Sequence, residues 1–354
     1  MKPIYIILAI LLSLLLLTAV SAAVIWPLVN ERPVLEDEQA VAQTPTTTTT
    51  EAPRPAFPCP IDGEYTHEPN ATRRPLAVMI ENHVDARPQS GLSDACVVYE
   101  TVAEGGITRF MAVFLHEDVA TIGPVRSARE YFVDLARAYN ALYVHCGGPA
   151  TVYNVIENLG VADLDEFANE DAYWRIKERK APHNLYTSTA KLWSKAADRG
   201  FDSQVFYEKP NFKDDEAPEF RPSNASINLD FSKPEFRVHY EYDRNTNTYN
   251  RFMAGQPHKD AANNKLITAK NVVVQYVPVS KIANDPKGRM ELNLLGSGQA
   301  IVFQDGKVIF ATWQRQNVSE LTRYFDSSGS EIRFNRGQIW IELVDPSTMK
   351  VDYQ

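Results

Sequence analysis

Apolar and polar positions divide the chain into three regimes. Residues 4–26, opened by Ile4 and closed by Trp26, are apolar almost throughout and Leu-rich, with only Lys2 and the amino terminus before them. At about 1.5 Å per residue that is roughly 35 Å of helix, enough to span a bilayer core. Residues 30–58 then hold almost no apolar periodicity, and from residue 74 onward short β-branched runs alternate with amphipathic stretches. Residues 75–81 and 96–102 read as buried strands, and 107–116 resumes as a strand after Gly105-Gly106, which predicts a hairpin. Ser127 and Glu130 have the spacing of a capping box, so a helix is expected from there through Tyr139. A strand over 141–145 follows, then a helix after Gly147-Gly148-Pro149 that ends near Gly160, and a last helix from Thr187 or Ser188 to Gly200. Layered α/β or α+β packing, with helices covering a mixed sheet, is the expected fold of this region.

Beyond it the pattern changes. Residues 203–235 carry Pro210, Pro218, Pro222, Pro234 and an acidic run, which predicts an irregular connection. Residues 236–354 show strand patterns only: 237–242, 248–253, 270–278, 300–304 and 307–313, the last two joined by the hairpin dipeptide Asp305-Gly306, and then 338–344. A mostly antiparallel β-rich C-terminal domain is expected. The full division is residues 1–29 as a membrane anchor or signal segment, 30–58 as a disordered Thr/Pro-rich stalk, 59–202 as an α/β domain, 203–235 as a linker and 236–354 as the β-rich domain.

The leading segment points outside the cytoplasm. Its length favours an uncleaved single-pass anchor, with Lys2 on the inner side and the folded part outside. Val20-Ser21-Ala22-Ala23 also reads as a cut site, so secretion after signal cleavage stays open. Lipid attachment would require a Cys immediately after the apolar run, and the first Cys is Cys59. The tract with Thr46 to Thr50, Pro53, Pro55 and Pro58 cannot bury apolar surface and reads as a stalk.

Composition narrows the partners. There are 36 Lys plus Arg against 45 Asp plus Glu, a net charge of −9, which argues against nucleic acid. Three cysteines are too few for a disulfide scaffold; at most one pair is expected, with Cys96 and Cys146 as the couple. No cofactor fingerprint is present. A zinc site would show short His/Cys spacings, and none occurs; His83, His116, His145 and His183 are far apart, so no metal site is expected.

Polar chemistry concentrates beside glycine turns in residues 81–184. Arg109 follows the Gly105-Gly106 turn, Arg126, Ser127 and Arg129 lie near one helix start, His145, Gly147 and Gly148 near the next, and His183 and Asn184 before the last. Helix N-termini favour anions, and guanidinium forks suit phosphate or carboxylate. If these ends meet on one sheet edge they form an anion pocket; taken singly, each arginine equally fits a structural ion pair with Glu100 or Glu104. His145, His183 and Glu104 are the candidates for proton transfer should the protein be an enzyme. A paired-carboxylate hydrolase could draw on Glu81, Glu100, Glu104, Asp163 or Asp165. Cys146 beside His145 makes a poor nucleophile–base pair, because strand neighbours face opposite sides. Arg251, His258 and Asp260 form a smaller polar cluster in the β region.

Residues 74–83 (RPLAVMIENH), 87–92 (RPQSGL), 104–110 (EGGITRF), 123–129 (GPVRSAR) and 180–188 (KAPHNLYTS) together resemble the YerB family of bacterial envelope lipoproteins. The likeness runs through most of 74–200 and more loosely over 237–344. It implies a bacterial source, an extracytoplasmic location and two domains of unknown function, with no activity or catalytic residue. A typical member is lipid-anchored through Cys, unlike this chain, and carries an acidic residue at position 96 and a small one at 146, where this chain has Cys. Three readings follow: a membrane-anchored protein binding an anionic envelope ligand such as a wall polymer, a hydrolase or transferase acting on envelope glycan or phosphodiester bonds, or a protein–protein adaptor in an envelope complex.

Overall fold

Long-range pairing joins the two halves of the chain into one sheet. The computed structural model describes residues 55–203 and 209–354. The expected anchor over 4–26 lies outside the described residues, as does the stalk up to residue 54; at its end Phe57–Pro58 pairs with Tyr65–Thr66. Among the described residues no helix is long and apolar enough to cross a membrane.

The principal elements are β1 (Leu76–Glu81), β2 (Val97–Glu104), β3 (Ile107–Phe114), α1 (Glu130–Ala138), β4 (Leu142–His145), α2 (Ala150–Leu159), β5 (Ala162–Asp165) and α3 (Thr189–Asp198). They are followed by β6 (Ser226–Asp230), β7 (Arg237–Asp243), β8 (Thr248–Met253), β9 (Asn271–Tyr276), β10 (Gly296–Gln304), β11 (Lys307–Arg315), β12 (Arg323–Asp326), β13 (Ile339–Val344) and β14 (Lys350–Tyr353). A mixed ten-stranded sheet runs β12-β11-β10-β9-β13-β2-β3-β1-β4-β5. Its seam is the parallel pairing of β13 with β2, from Ile339↔Val97 to Glu342↔Glu100. Antiparallel β14, β6, β7 and β8 form most of a second sheet. The molecule is strand-rich with few helices, so the helix-covered α/β domain expected for the first half is only partly matched. Strand β6 also falls inside the stretch read as an irregular connection.

Every residue of β1 and of β13 is buried, as expected for strands covered on both faces. Alternation assigns the faces. Leu76, Val78 and Ile80 pack with Leu192 of α3 and with Ile227, Leu229 and Tyr240 of the second sheet. Ala77 and Met79 pack with Phe132 and Leu135 of α1 and Val152 of α2. The result is three layers: helices α1 and α2, the large sheet, then α3 with the second sheet.

Local signals set the element ends. Gly105 and Gly106 turn β2 into β3 with φ of 58° and 81°, and Asp305-Gly306 turns β10 into β11 with φ of 53° and 71°. The Ser188 hydroxyl accepts from the Lys191 amide at 3.3 Å and caps α3. The capping box expected at Ser127 does not form: the chain stays extended through Arg129, and α1 starts at Glu130 with no side-chain cap. The Ser127 hydroxyl is instead taken by Arg109 and Arg129.

Candidate functional site

A cleft of about 400 Å³ opens between the two halves, lined by Glu104, Arg126, Ser127, Arg129, Gly147, Gly148, Lys287 and Arg289 among others. Three pieces of backbone build it. Arg126 to Arg129 run extended toward α1, tied by Arg126 N–H to Met79 O and Ala128 N–H to Gly147 O. The turn after β4 enters α2 at Ala150 behind Pro149, with no side chain capping that helix end. Across from them, residues 285–289 are held over the β2–β3 turn by a bridge between Glu104 and Arg289 and by Gly105 N–H to Gly288 O at 3.4 Å. Asp285 shapes that loop by accepting from the amides of Lys287 and Arg289 and from the Arg289 guanidinium at 2.5 Å.

Cations outnumber their partners here. Arg109 lies buried beneath the floor, bonded to Glu104 Oε1 at 2.9 Å and to Ser127 O at 3.1 Å. Arg129 is also buried, pairs with Glu104 Oε2 and donates to Ala128 O at 2.5 Å. Arg126 is held at 3.0 Å by Glu81. Burial depresses all three guanidinium pKa values, in Arg126 together with repulsion from Arg109; an arginine nevertheless keeps its charge. Lys287 is exposed on the rim. The single acid in the lining set, Glu104, is already shared between two arginines. Such a cleft favours an anion, and the open N-terminus of α2 adds unpaired N–H groups to it.

The sequence-expected residues separate into three groups. Arg126, Ser127, Arg129, Gly147, Gly148 and Glu104 line the cleft, with Arg109 just below. His145 does not reach it: the ring is fully buried, with Nε2 on Asp163 at 2.8 Å and Nδ1 on Gly147 O at 2.9 Å, so it braces the loop. His183 and Asn184 lie to one side. His183 Nδ1 meets Glu81 Oε2 at 2.9 Å and its ring stacks on His83 at 4.7 Å; Asn184 accepts from Arg175 at 3.1 Å. Lys287 and Arg289 were missed, because nothing local in the sequence places that loop beside Arg126.

Other expectations are corrected. The cysteines are all free thiols, so Cys96 and Cys146 are not a couple. Cys96 lies with Cys59, while Cys146 donates to Glu166 at 3.3 Å. Burial, then the Glu166 carboxylate, pushes the Cys146 thiol up to about 11, the opposite of an activated nucleophile. The polar cluster Arg251, His258 and Asp260 is buried. They reach across to the first half, Arg251 to Glu100, His258 to Gln89 at 3.0 Å and Asp260 to the Ser93 amide at 3.0 Å.

Comparison with known proteins gives one consistent result. The family described as "Protein of unknown function (DUF3048) N-terminal domain" matches residues 62–202, and its "C-terminal domain" counterpart matches residues 227–341. "Putative lipoprotein YerB" of Bacillus subtilis is 34% identical over 291 residues, covering 80% of this chain and 85% of that protein. A crystal structure of YerB from Bacillus subtilis superposes with a TM-score of 0.75 at 30% identity, covering 84% of this chain and 100% of that one.

Proposed function

The chain belongs to the DUF3048 family, which carries no assigned activity, and from the cleft just described we propose that it binds an anionic ligand of the bacterial cell envelope. One observation carries this reading. Lys287 and Arg289 from one half meet Arg126 and Arg129 from the other around a single small cavity. A phosphate or carboxylate group suits it, since guanidinium forks give such groups paired hydrogen bonds. The envelope location rests on the relative's lipoprotein name, the apolar run 4–26 behind Lys2 and the Thr/Pro tract after it. Attachment through 4–26 fits this chain better than a lipid, because its first cysteine, Cys59, is buried in the fold.

The test is a thermal-shift screen of the protein against anionic wall fragments, phosphodiesters and inorganic phosphate. A ligand that binds only the folded state raises the midpoint, by about 2.7 kcal/mol at 100 times its dissociation constant. The double variant Arg126→Gln, Lys287→Ala removes charge at the half-exposed and exposed positions and leaves the buried Arg129–Glu104 pair intact. Loss of the shift in that variant supports the anion site; an unchanged shift removes it.

A second reading, hydrolysis or transfer at an envelope phosphodiester or glycan bond, is favoured by one arrangement. The buried Glu81 carboxylate holds His183 through one oxygen and Arg126 through the other. It thus couples an imidazole to a cleft cation, and His183 Nε2 would serve as general base. His183→Gln abolishes turnover and spares binding on this reading; turnover that survives the substitution rules it out.

A further inference from the structure

Away from the cleft, four side chains with ligand-forming atoms converge in the interior. Cys59, Asp62, Cys96 and His116 are all buried, and their Sγ, carboxylate and imidazole atoms lie within 4.8 Å of one another. They come from separate parts of the chain. Cys59 and Asp62 sit in the turn between Phe57–Pro58 and Tyr65–Thr66, Cys96 just before β2, and His116 just after β3. The β2–β3 hairpin register brings the last two together, with Cys96 N–H donating to Val113 O at 2.8 Å.

We infer that Cys59, Asp62, Cys96 and His116 form a closed four-ligand site for a divalent transition metal of the zinc class. Two thiolates, one imidazole and one carboxylate are a donor set that suits zinc in a structural site. Zinc–sulfur bonds of about 2.3 Å and zinc–nitrogen bonds of about 2.0 Å place tetrahedral ligands roughly 3–4 Å apart, so the observed spread closes with small side-chain movements. His116 Nε2 and Asp62 Oδ2 are already 2.9 Å apart.

The surroundings orient each ligand. His116 Nδ1 meets Glu117 Oε1 at 3.1 Å, the carboxylate–histidine arrangement that fixes a metal-binding tautomer. Asp62 Oδ1 accepts from the Glu64 amide at 3.1 Å, which leaves Oδ2 for the metal. Cys59 Sγ accepts from the Ile61 amide at 3.4 Å, a contact that favours thiolate. Binding one cation releases the two thiol protons and the proton shared by His116 and Asp62 to solvent.

A cation here would also staple the entry of the folded part to the sheet. The His116 carbonyl additionally receives Asn70 Nδ2 and the Arg73 guanidinium, both at 3.0 Å, so residues 57–73 gather at this end of β3.

The experiment uses the full chain, purified without chelator from zinc-supplemented cells, then reconstituted with cobalt(II). About one zinc per chain by mass spectrometry is expected, with a tetrahedral cobalt spectrum carrying a thiolate charge-transfer band. The band persists in Cys146→Ser and is lost in Cys96→Ser and Cys59→Ser. Chelation is expected to expose residues 57–73 to protease before the rest of the chain. Three results overturn the inference: a Cys59–Cys96 disulfide in the native protein, both thiols free with no metal taken up, or metal uptake unchanged by the Cys96→Ser substitution. If the serine variants do not fold, the wild-type metal content and cobalt spectrum decide alone.

Discussion

Glu100 of β2 and Glu342 of β13 are register partners across the seam of the large sheet, and neither is exposed to solvent. A single guanidinium, that of Arg251, pairs with Glu100 and stands 4.0 Å from Glu342. Tyr240 donates to Glu342 Oε1 at 2.5 Å, while Thr108 donates to Glu100 Oε1 at 2.6 Å. Two carboxylates with one cation between them cannot both ionise cheaply. Burial first, and the neighbouring Glu100 charge second, push the Glu342 carboxyl up to about 8.

The pH dependence has a definite sign. Glu342 holds its proton more tightly folded than unfolded, so its contribution is fully present below the ordinary value of 4.5 and is lost as pH rises through about 8. Thermal melts across this window are expected to fall with pH, with Glu342 contributing on the order of a few kcal/mol. In Glu342→Gln, which stays neutral, this part of the slope disappears. An unchanged slope would mean that Glu342 is not the titrating group.

Arg251→Ala removes the guanidinium that pairs with Glu100 and leaves that carboxylate buried without its ion-pair partner. Breaking such a pair costs about 3–5 kcal/mol, to which the lost stacking over the Trp340 ring, 4.2 Å away, adds. Urea denaturation is expected to show a large drop in midpoint.

The two serines near helix starts are expected to behave differently. Ser188→Ala removes a formed cap and costs about 1 kcal/mol. Ser127→Ala removes an acceptor shared by two arginines and leaves α1 unchanged by circular dichroism; its effect is expected in anion binding instead.

Gly123→Ala tests the close approach of the segment before Arg126 to Leu185 and Tyr186. With φ of 148°, a Cβ there would lie 2.7 Å from the Leu185 carbonyl oxygen and 2.9 Å from the Tyr186 ring. Backbone oxygen cannot swing aside, so a loss of roughly 2 kcal/mol or more is expected in chemical denaturation.

What the sequence reveals here is local. The Gly105-Gly106 and Asp305-Gly306 turns, the α3 cap at Ser188 and the α2 end at Gly160 follow from conformational preferences within a few residues, and each is found. Pairing at long separation is not written locally. Val97 meets Ile339 because both strands are apolar on two faces, a property they share with several others. The same limit hid Lys287 and Arg289 at the cleft, and Cys59 and His116 around Cys96. Ser127 failed for another reason: its hydroxyl could cap a helix or accept from arginine, and two buried guanidinium groups outweighed one backbone amide.

The β2–β13 seam also keeps two strand edges of this chain covered. Each half serves as the other's edge protection. Separated, Val97–Glu104 and Ile339–Val344 would each present a row of unpaired amides and carbonyls beside apolar side chains, the template for strand-on-strand aggregation. Neither half of this chain is therefore expected to be a portable module: expressed alone, each is expected to aggregate through its bared strand edge.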